Sequence, residues 1–112
     1  MYGIEMIAEE RRRQIEEEGW TAEHDEQHAD GELAWAAVCY AAPRDVYKHE
    51  EFNGVHSFRD PWPWRYWDKR EKHDRIRQLV IAGALIAAEL DRLDADAEEI
   101  RETMMRPEGD DQ

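Results

Sequence analysis

The chain has 112 residues, enough for one domain, and its 28 acidic residues outnumber 15 lysines and arginines to give a formal net charge of −13. This excess of acid repels phosphate backbones and anionic lipids, so the composition argues against DNA, RNA and membrane surfaces as partners. A single cysteine, Cys39, and an N-terminal segment that is polar by Glu5 predict a cytoplasmic protein without a signal peptide.

Hydrophobic periodicity predicts two helices in the first part of the chain. Residues 3–18 form the first helix, and Gly19 is a typical C-terminal stop. Its apolar residues recur toward one face: Ile4, Ile7, Ala8 and Ile15. Residues 20–30 are predicted to be a loop, after which Asp30 caps a second helix over residues 31–42.

The segment 43–67 is expected to be irregular, because it contains prolines and the dense aromatic motif PWPWRYW at residues 61–67. Prolines make this motif stiff and extended, and alternate side chains of an extended segment point to opposite sides. Trp62 and Trp64 are therefore expected on one side, and Arg65 and Trp67 on the other. One side should cover the helices, while the other lines a groove.

The longest helix is predicted to follow Asp68, which with Glu71 resembles a capping box. Apolar residues then recur in alternating steps of three and four, a heptad seam: Ile76, Leu79, Gly83, Ile86, Leu90, Leu93, Ala97, Ile100 and Met104. A second stripe of Val80, Ala84 and Ala87 widens the seam over the middle of the helix, and this wide half is expected to pack inside the domain. It includes the apolar run at 79–88, which is too short to span a bilayer. The part from Leu90 onward is expected to pair with a second copy of the chain or to fold back.

These elements together predict an all-α fold, with one helical domain over residues 1–105 and a disordered tail over 106–112. The expected architecture is a small bundle of three main helices, with a long loop rich in tryptophan and proline and an extended C-terminal helix.

Acids and histidines between residues 24 and 32 make the first candidate metal site: His24, Asp25, His28, Asp30 and Glu32. Nitrogen and carboxylate ligands together suit zinc, manganese or iron. A hydrated acidic loop explains the same residues without a metal, and the spacing alone does not decide between the two.

A second metal hypothesis rests on the EKHD motif at residues 71–74, which resembles the ExxD of all-α nucleotide pyrophosphohydrolases similar to MazG. The resemblance implies a magnesium or manganese clamp for a nucleotide triphosphate. Its ligands would be Glu17, Glu32, Glu71 and Asp74. The second acidic pair of such a clamp is missing, since no acid follows Glu32 before Asp45.

The aromatic residues carry the leading hypothesis, in which tryptophans stack on a flat ligand while arginines meet its charge and His28 and Glu32 anchor it. The candidate ligand-binding residues are Trp20, His28, Glu32, Trp62, Trp64, Arg65, Trp67, Arg70 and Arg75. The competing explanation is that the tryptophans simply cover the core.

Two motifs resemble the ryanodine receptor repeat domain. ERRRQIEEEGW at residues 10–20 is similar to its helix that ends in EGW, and EKHDR at 71–75 is similar to the EKxxDR that opens its other main helix. The matched positions are Arg13, Trp20, Asp74 and Arg75. The resemblance implies a small-molecule binding module in which Asp74 and Arg75 tie a helix start to the EGW loop. The central stretch, residues 18–37, is also similar to small phage and prophage proteins.

The sequence thus favours a non-enzymatic, homodimeric module that binds a nucleotide-like ligand without a cofactor. In a phage, such a module would sequester a host signalling nucleotide. The alternatives are a magnesium- or manganese-dependent nucleotide pyrophosphohydrolase and an acidic protein–protein adaptor.

Overall fold

The computed structural model of the chain describes residues 2–64 and 70–105; at positions 97, 99–101, 104 and 105 it describes the backbone alone. Its elements are the helices α1 (Gly3–Glu18), α2 (Ala22–Asp25), α3 (Glu32–Ala41) and α4 (Arg75–Met105), and the strands β1 (Lys48–Phe52) and β2 (Val55–Arg59). Two single 3-10 turns lie at Glu26–His28 and Arg70–Lys72. The expected tail at 106–112 lies outside the described residues.

The all-α prediction is wrong, because β1 and β2 pair as an antiparallel hairpin inside the segment expected to be irregular. Phe52 pairs with Val55 across a two-residue turn. Both turn residues are left-handed, Asn53 with φ 50° and Gly54 with φ 78°. An Asn-Gly pair is the preferred sequence for such a turn, since its backbone twist matches that of the strands. The prediction missed this hairpin because it treated the whole proline-containing segment 43–67 as irregular.

The hydrophobic core lies between α3 and α4 and is built largely from small side chains. It consists of Leu33, Ala36, Ala37 and Tyr40 from α3 and Ile81, Ala82, Leu85 and Ala88 from α4. Alanines at the contact let the two helix backbones approach closely. Trp62 and Trp64 pack against this core and are partly buried, so the described part of the aromatic segment, residues 61–64, covers it. This is what one of the two explanations for the tryptophans expected.

Apart from Gly83, which lies against Ile7 of α1, the heptad seam of α4 faces outward over residues 76–93. The exposed fractions of its side chains are 67% for Ile76, 46% for Leu79, 50% for Ile86, 61% for Leu90 and 49% for Leu93. The neighbouring stripe is buried instead: Val80, Ile81, Ala84, Leu85 and Ala88. The expectation that the helix packs inside the domain around 79–88 is therefore confirmed for the second stripe at Val80 and Ala84 and wrong for the seam residues Leu79 and Ile86. The side chains of Ala97, Ile100 and Met104 lie outside the described part of the helix.

Helix α1 has the predicted bounds and ends at Gly19, whose φ of 75° provides the left-handed cap. Its predicted apolar face is wrong, since Ile4 is 78% and Ile15 37% exposed. The buried residues are polar: Glu10, Arg11 and Gln14. Where α1 crosses α4, Gly83 gives it room, because a Cβ there would lie 2.5 Å from Ile7 Cδ1.

The starts of the other helices also differ from prediction. Asp74 caps α4, since its Oδ1 accepts from the Arg77 backbone N–H at 2.8 Å. Glu71 therefore precedes the helix in a 3-10 turn, and the predicted cap Asp68 lies outside the described residues. The predicted loop at 20–30 is mostly helical, and α3 begins after Gly31 without a side-chain cap from Asp30.

Within the described residues, none of the four helices combines the length and the apolar character that crossing a membrane requires.

Candidate functional site

A small, mostly apolar cavity of about 50 Å³ lies between α2, α3, α4 and the aromatic segment, and we call it the histidine cavity. Its walls are Trp20, His24, Asp25, His28, Leu33, Tyr40, Trp62, Trp64, Ile81 and Leu85. Four of the predicted ligand-binding residues therefore come together here. The volume is far below the about 300–1,000 Å³ of ordinary small-molecule pockets. This space suits a few water molecules or an ion, and a nucleobase would need it to widen.

The polar part of the histidine cavity is a cluster of His24, Asp25 and His28. Because α2 runs directly into a 3-10 turn, residues four apart lie on one side, and the two imidazole centroids are 5.7 Å apart. One potential metal-ligand atom from each residue lies within 4.8 Å of the others. The ring of His28 meets the edge of Trp64, with centroids 5.2 Å apart, so the cluster borders the aromatic wall.

Asp25 is a buried carboxylate whose contacts are incomplete. It is 2% exposed, and its Oδ1 lies 3.1 Å from His24 Nδ1. Its Oδ2 has no hydrogen-bond partner among the described residues and lies 3.8 Å from Arg11 Nη2. Arg11 also donates from Nε to Asp91 Oδ2 at 3.2 Å and from Nη1 to the Trp20 carbonyl at 2.9 Å. One guanidinium thus faces two carboxylates, which leaves an unbalanced negative charge.

A second buried carboxylate, Glu10, is fully paired. Arg13 donates to both of its oxygens, at 2.8 and 3.0 Å, and Arg77 of α4 donates to Oε1. Burial raises the pKa of the Glu10 carboxyl, but the hydrogen bonds and charges of Arg13 and Arg77 outweigh burial and hold the pKa below its usual value. Glu10 therefore joins α1 to α4 as an ionised group.

A larger cleft of about 390 Å³ separates the start of α3 from the hairpin, and we call it the hairpin cleft. It is lined by Asp30, Glu32, Trp35, Lys48, Glu50, Arg59, Asp60, Pro61, Trp62 and Pro63. The strand pairing matches Lys48 with Arg59, and Glu50 stands two residues along β1, so all three lie on one face of the hairpin. That face lines the cleft. The predicted groove residues Glu32 and Trp62 therefore stand in its wall.

Charges inside the hairpin cleft are partly paired. Lys48 Nζ lies 4.9 Å from the ring centroid of Trp35, a cation–π contact. Arg59 Nη2 donates to Glu50 Oε1 at 2.8 Å, and this hydrogen bond holds the pKa of Glu50 below its usual value. Asp30 and Glu32 add acid at the opposite wall.

Arg70 and Arg75, both predicted to meet the ligand, have structural contacts. The guanidinium carbon of Arg70 lies 5.2 Å from the ring centroid of Trp62, and its Nη2 donates to Asp60 Oδ2 at 3.2 Å. Arg70 therefore holds the aromatic segment. It also lines an open cavity of about 390 Å³ with Arg44 and Lys72.

Arg75 closes the end of α3, where carbonyl groups lack partners within the helix. It donates to the carbonyls of Tyr40, Ala41 and Ala42 at 3.4, 2.5 and 3.0 Å. The expectation that Asp74 and Arg75 tie the helix start to the EGW loop is therefore wrong in the described structure. Arg11, which binds the Trp20 carbonyl, holds that loop instead.

The four acids of the alternative magnesium site are dispersed. Glu17 pairs with Arg13 at 3.5 Å and is 68% exposed at its side chain. Glu32 faces the hairpin cleft, Glu71 borders the open cavity with Arg44, and Asp74 caps α4. Asp74 lines a third cavity, beside Glu10 and Arg77, so these three acids stand at different places and the alternative clamp is not assembled.

The sequence prediction missed Arg11, Asp91 and Trp35 as site residues. Trp35 was detectable, since it stands one turn after Glu32 on the same predicted helix. Arg11 and Asp91 are 80 residues apart, and no local pattern connects them. The predicted ligand residues Arg65 and Trp67 lie outside the described residues.

No protein-family model, no curated protein and no solved structure matches this chain. The function is therefore argued from the geometry of these cavities.

Proposed function

We propose that the protein is a non-enzymatic module that binds a small, flat, nucleoside-like ligand in the hairpin cleft. The observation that carries the proposal is a cleft of about 390 Å³ with two tryptophans, Trp35 and Trp62, in its walls. This volume falls within the range of about 300–1,000 Å³ typical of small-molecule pockets. Aromatic faces stack on any base, and the interaction is worth about 1–3 kcal/mol per base.

The charges around the cleft narrow the ligand class. Its lining carries more acidic than basic side chains. The four carboxylates are Asp30, Glu32, Glu50 and Asp60, and the two basic residues are Lys48 and Arg59. Carboxylates accept hydrogen bonds from the N–H groups of a base edge and from sugar hydroxyls. A chain of phosphates would meet net negative charge. We therefore favour a nucleoside, or a nucleotide-derived signal with few phosphates, as the molecule that the module sequesters.

The test is calorimetric titration with adenosine, guanosine, cytidine and thymidine, each compared with its mono- and triphosphate. We expect one or more nucleosides to bind, and affinity to fall as phosphates are added. Trp35→Ala should weaken binding about tenfold or more, the effect of losing one stacked base. Phe58→Ala is the matched control, because Phe58 lies 68% exposed on the other face of the hairpin. Equal binding by Trp35→Ala and the wild type would refute the assignment.

We also propose that the chain forms a homodimer through the exposed seam of α4. A second copy presents the same stripe, so two seams are self-complementary about a two-fold axis. The exposed stripe extends over five helical turns, and leaving so much apolar surface in water costs free energy. It consists of Ile76, Leu79, Ile86, Leu90 and Leu93. A protein–protein adaptor would use the same stripe to bind a different protein. The oligomeric state of the purified chain distinguishes the homodimer from the adaptor.

A pyrophosphohydrolase is the weaker alternative, because the dispersed acids Glu17, Glu32, Glu71 and Asp74 give magnesium no common position.

We propose a cytoplasmic location, since the chain holds one cysteine and carries no requirement for an oxidising compartment. Its charge of −13 supports partners other than DNA, RNA and anionic membranes.

A further inference from the structure

The histidine cavity holds a ligand set that the proposed function does not use. His24, Asp25 and His28 each offer a ligand atom, and these atoms lie within 4.8 Å of one another. A tetrahedral zinc site with bonds of about 2.1 Å separates its donor atoms by about 3.4 Å. His24 Nδ1 and Asp25 Oδ1 lie 3.1 Å apart in a hydrogen bond, so these two side chains already meet, and Asp25 Oδ2 is the oxygen left to take a metal ion. Closing the remaining separations from at most 4.8 Å to about 3.4 Å would place the three donors around one ion.

An independent observation points to an absent ligand at the same place. Asp25 is 2% exposed, lines the cavity, and leaves Oδ2 without a hydrogen-bond partner among the described residues. A buried carboxylate without full compensation is costly, and buried charges are normally paired or bound to a metal. Arg11 compensates Asp25 only in part, because its guanidinium is nearer to Asp91, at 3.2 Å, than to Asp25, at 3.8 Å.

A neighbouring carboxylate orients one of the candidate ligands, as is usual for histidines that bind metals. His28 Nδ1 lies 3.4 Å from Glu32 Oε2, an arrangement that orients the ring and leaves Nε2 as the donor. No hydrogen bond among the described residues engages Nε2 of His24 or His28. The cavity beside them, about 50 Å³, has room for a water molecule or another small fourth ligand.

We propose that His24, Asp25 and His28 bind one divalent transition-metal ion, with one coordination position open to the histidine cavity. Two imidazoles and one carboxylate select zinc, cobalt or iron(II) over magnesium and calcium, which prefer oxygen ligands alone. The cation balances the negative charge that Arg11 leaves on Asp25 and Asp91. The three ligands lie outside the hairpin cleft and only Glu32 and Trp62 border both places, so zinc binding is measured separately from nucleoside binding.

The experiment uses the full chain, stripped with a chelator and titrated calorimetrically with zinc, cobalt(II) and magnesium. We expect one equivalent of zinc or cobalt per chain and little heat with magnesium. His28→Gln and Asp25→Asn should each weaken zinc binding more than about a hundredfold, since even outer-shell losses cost about 10–100-fold. Bound cobalt should show the intense visible absorption of a four-coordinate site, and that absorption should disappear in both variants.

The hairpin supplies the control, because it carries the other histidine pair. His49 Nε2 and His56 Nδ1 lie 2.8 Å apart on an exposed surface. The double variant of His49→Gln and His56→Gln should keep the one equivalent of zinc. If Asp25→Asn fails to fold, His24→Gln and His28→Gln decide, since both side chains are partly exposed. The proposal is overturned if the wild type binds no zinc or cobalt, or if only the hairpin variant loses the ion.

Discussion

Buried polar residues, together with the contact of Ile7 at Gly83, attach α1 to the rest of the molecule. Glu10 is 2%, Arg11 8% and Gln14 1% exposed, and the two charged residues have partners on α4. Glu10 reaches Arg77 and Arg11 reaches Asp91. Ion pairs of this kind fix which face of a helix packs inward, because any other register leaves a buried charge unpaired.

Glu10→Gln tests this attachment. We expect the free energy of unfolding at pH 7 to fall by about 1–3 kcal/mol, because the variant loses charge-assisted hydrogen bonds to partners that are themselves partly exposed. The pKa of Glu10 is lowered in the folded protein, so its contribution is complete above the unfolded value of 4.5 and is lost as the pH falls through the lower folded value. The difference between wild type and variant should therefore shrink in acid.

Urea unfolding at pH 7 and at about pH 3 measures both effects. Glu9→Gln is the matched control, because Glu9 is the exposed neighbour on the same helix. A Glu10→Gln variant with the stability of the Glu9→Gln variant at pH 7 would show that the buried pairs do not stabilise the packing of α1.

At the scale of single residues, the sequence predicted part of the lining of the histidine cavity. Trp20, His28, Trp62 and Trp64 were expected together, and they meet at the histidine cavity. Arg11 was missed, because hydropathy patterns assign charged residues to the surface and its partner Asp91 is remote in the chain. Arg75 was assigned to a ligand, although a guanidinium serves equally well to bind the free carbonyls of α3.

Among the secondary-structure elements, local sequence signals predicted where α1 begins and ends better than they predicted which side of α1 or α4 is buried. The bounds of α1 were predicted, because its stop at Gly19 depends on a few adjacent residues. The inward face of α4 was predicted in part. The second stripe at Val80 and Ala84 is buried as expected, whereas the larger seam residues Leu79 and Ile86 face outward, because small side chains fit the alanines of α3 better. Which stripe is buried thus depends on the partner helix.

Gly54→Ala tests whether the turn holds the hairpin. Gly54 has φ 78°, a conformation that costs an L-residue about 1–2 kcal/mol. We expect faster amide hydrogen exchange in β1 and β2 and little change in the melting temperature, because the hairpin is largely exposed and makes a small contribution to the core.

Gly3→Ala is the control, since Gly3 begins α1 with open space around it and an ordinary φ. Unchanged exchange in the hairpin of Gly54→Ala would mean that cross-strand contacts, such as the stacked rings of His49 and Phe58, hold the strands without the turn.

In the molecule as a whole, the exposed seam of α4 is the surface that we propose for dimer assembly. We expect the wild type to sediment as a dimer at micromolar concentrations, and Leu90→Glu to sediment as a monomer with unchanged helix content. Leu90 is 61% exposed in the single chain, so the substitution should cost little there and act on the interface.

Val38→Glu provides the comparison, because Val38 is 42% exposed on α3, away from the seam. It should leave the dimer intact. A wild type that sediments as a monomer at tens of micromolar concentration would count against the interface.

The hairpin cleft itself could not be predicted, because it needs a strand pair that the sequence analysis did not recognise. Once β1 and β2 pair, Lys48 and Arg59 come to face Trp35 across the cleft. The density of aromatic residues and the spacing of the acids predicted a groove with Trp62 and Glu32 in its wall. Its second wall and its volume depend on tertiary structure.

The most direct test of the nucleoside-binding proposal is a titration of ¹⁵N-labelled protein with the tightest-binding nucleoside, followed through the tryptophan indole N–H signals. The proposal predicts saturable shifts of Trp35 and Trp62, the two tryptophans in the walls of the hairpin cleft, with smaller changes at Trp20 and Trp64 in the histidine cavity. Shifts confined to Trp20 and Trp64, or no shift in any indole signal, would contradict it.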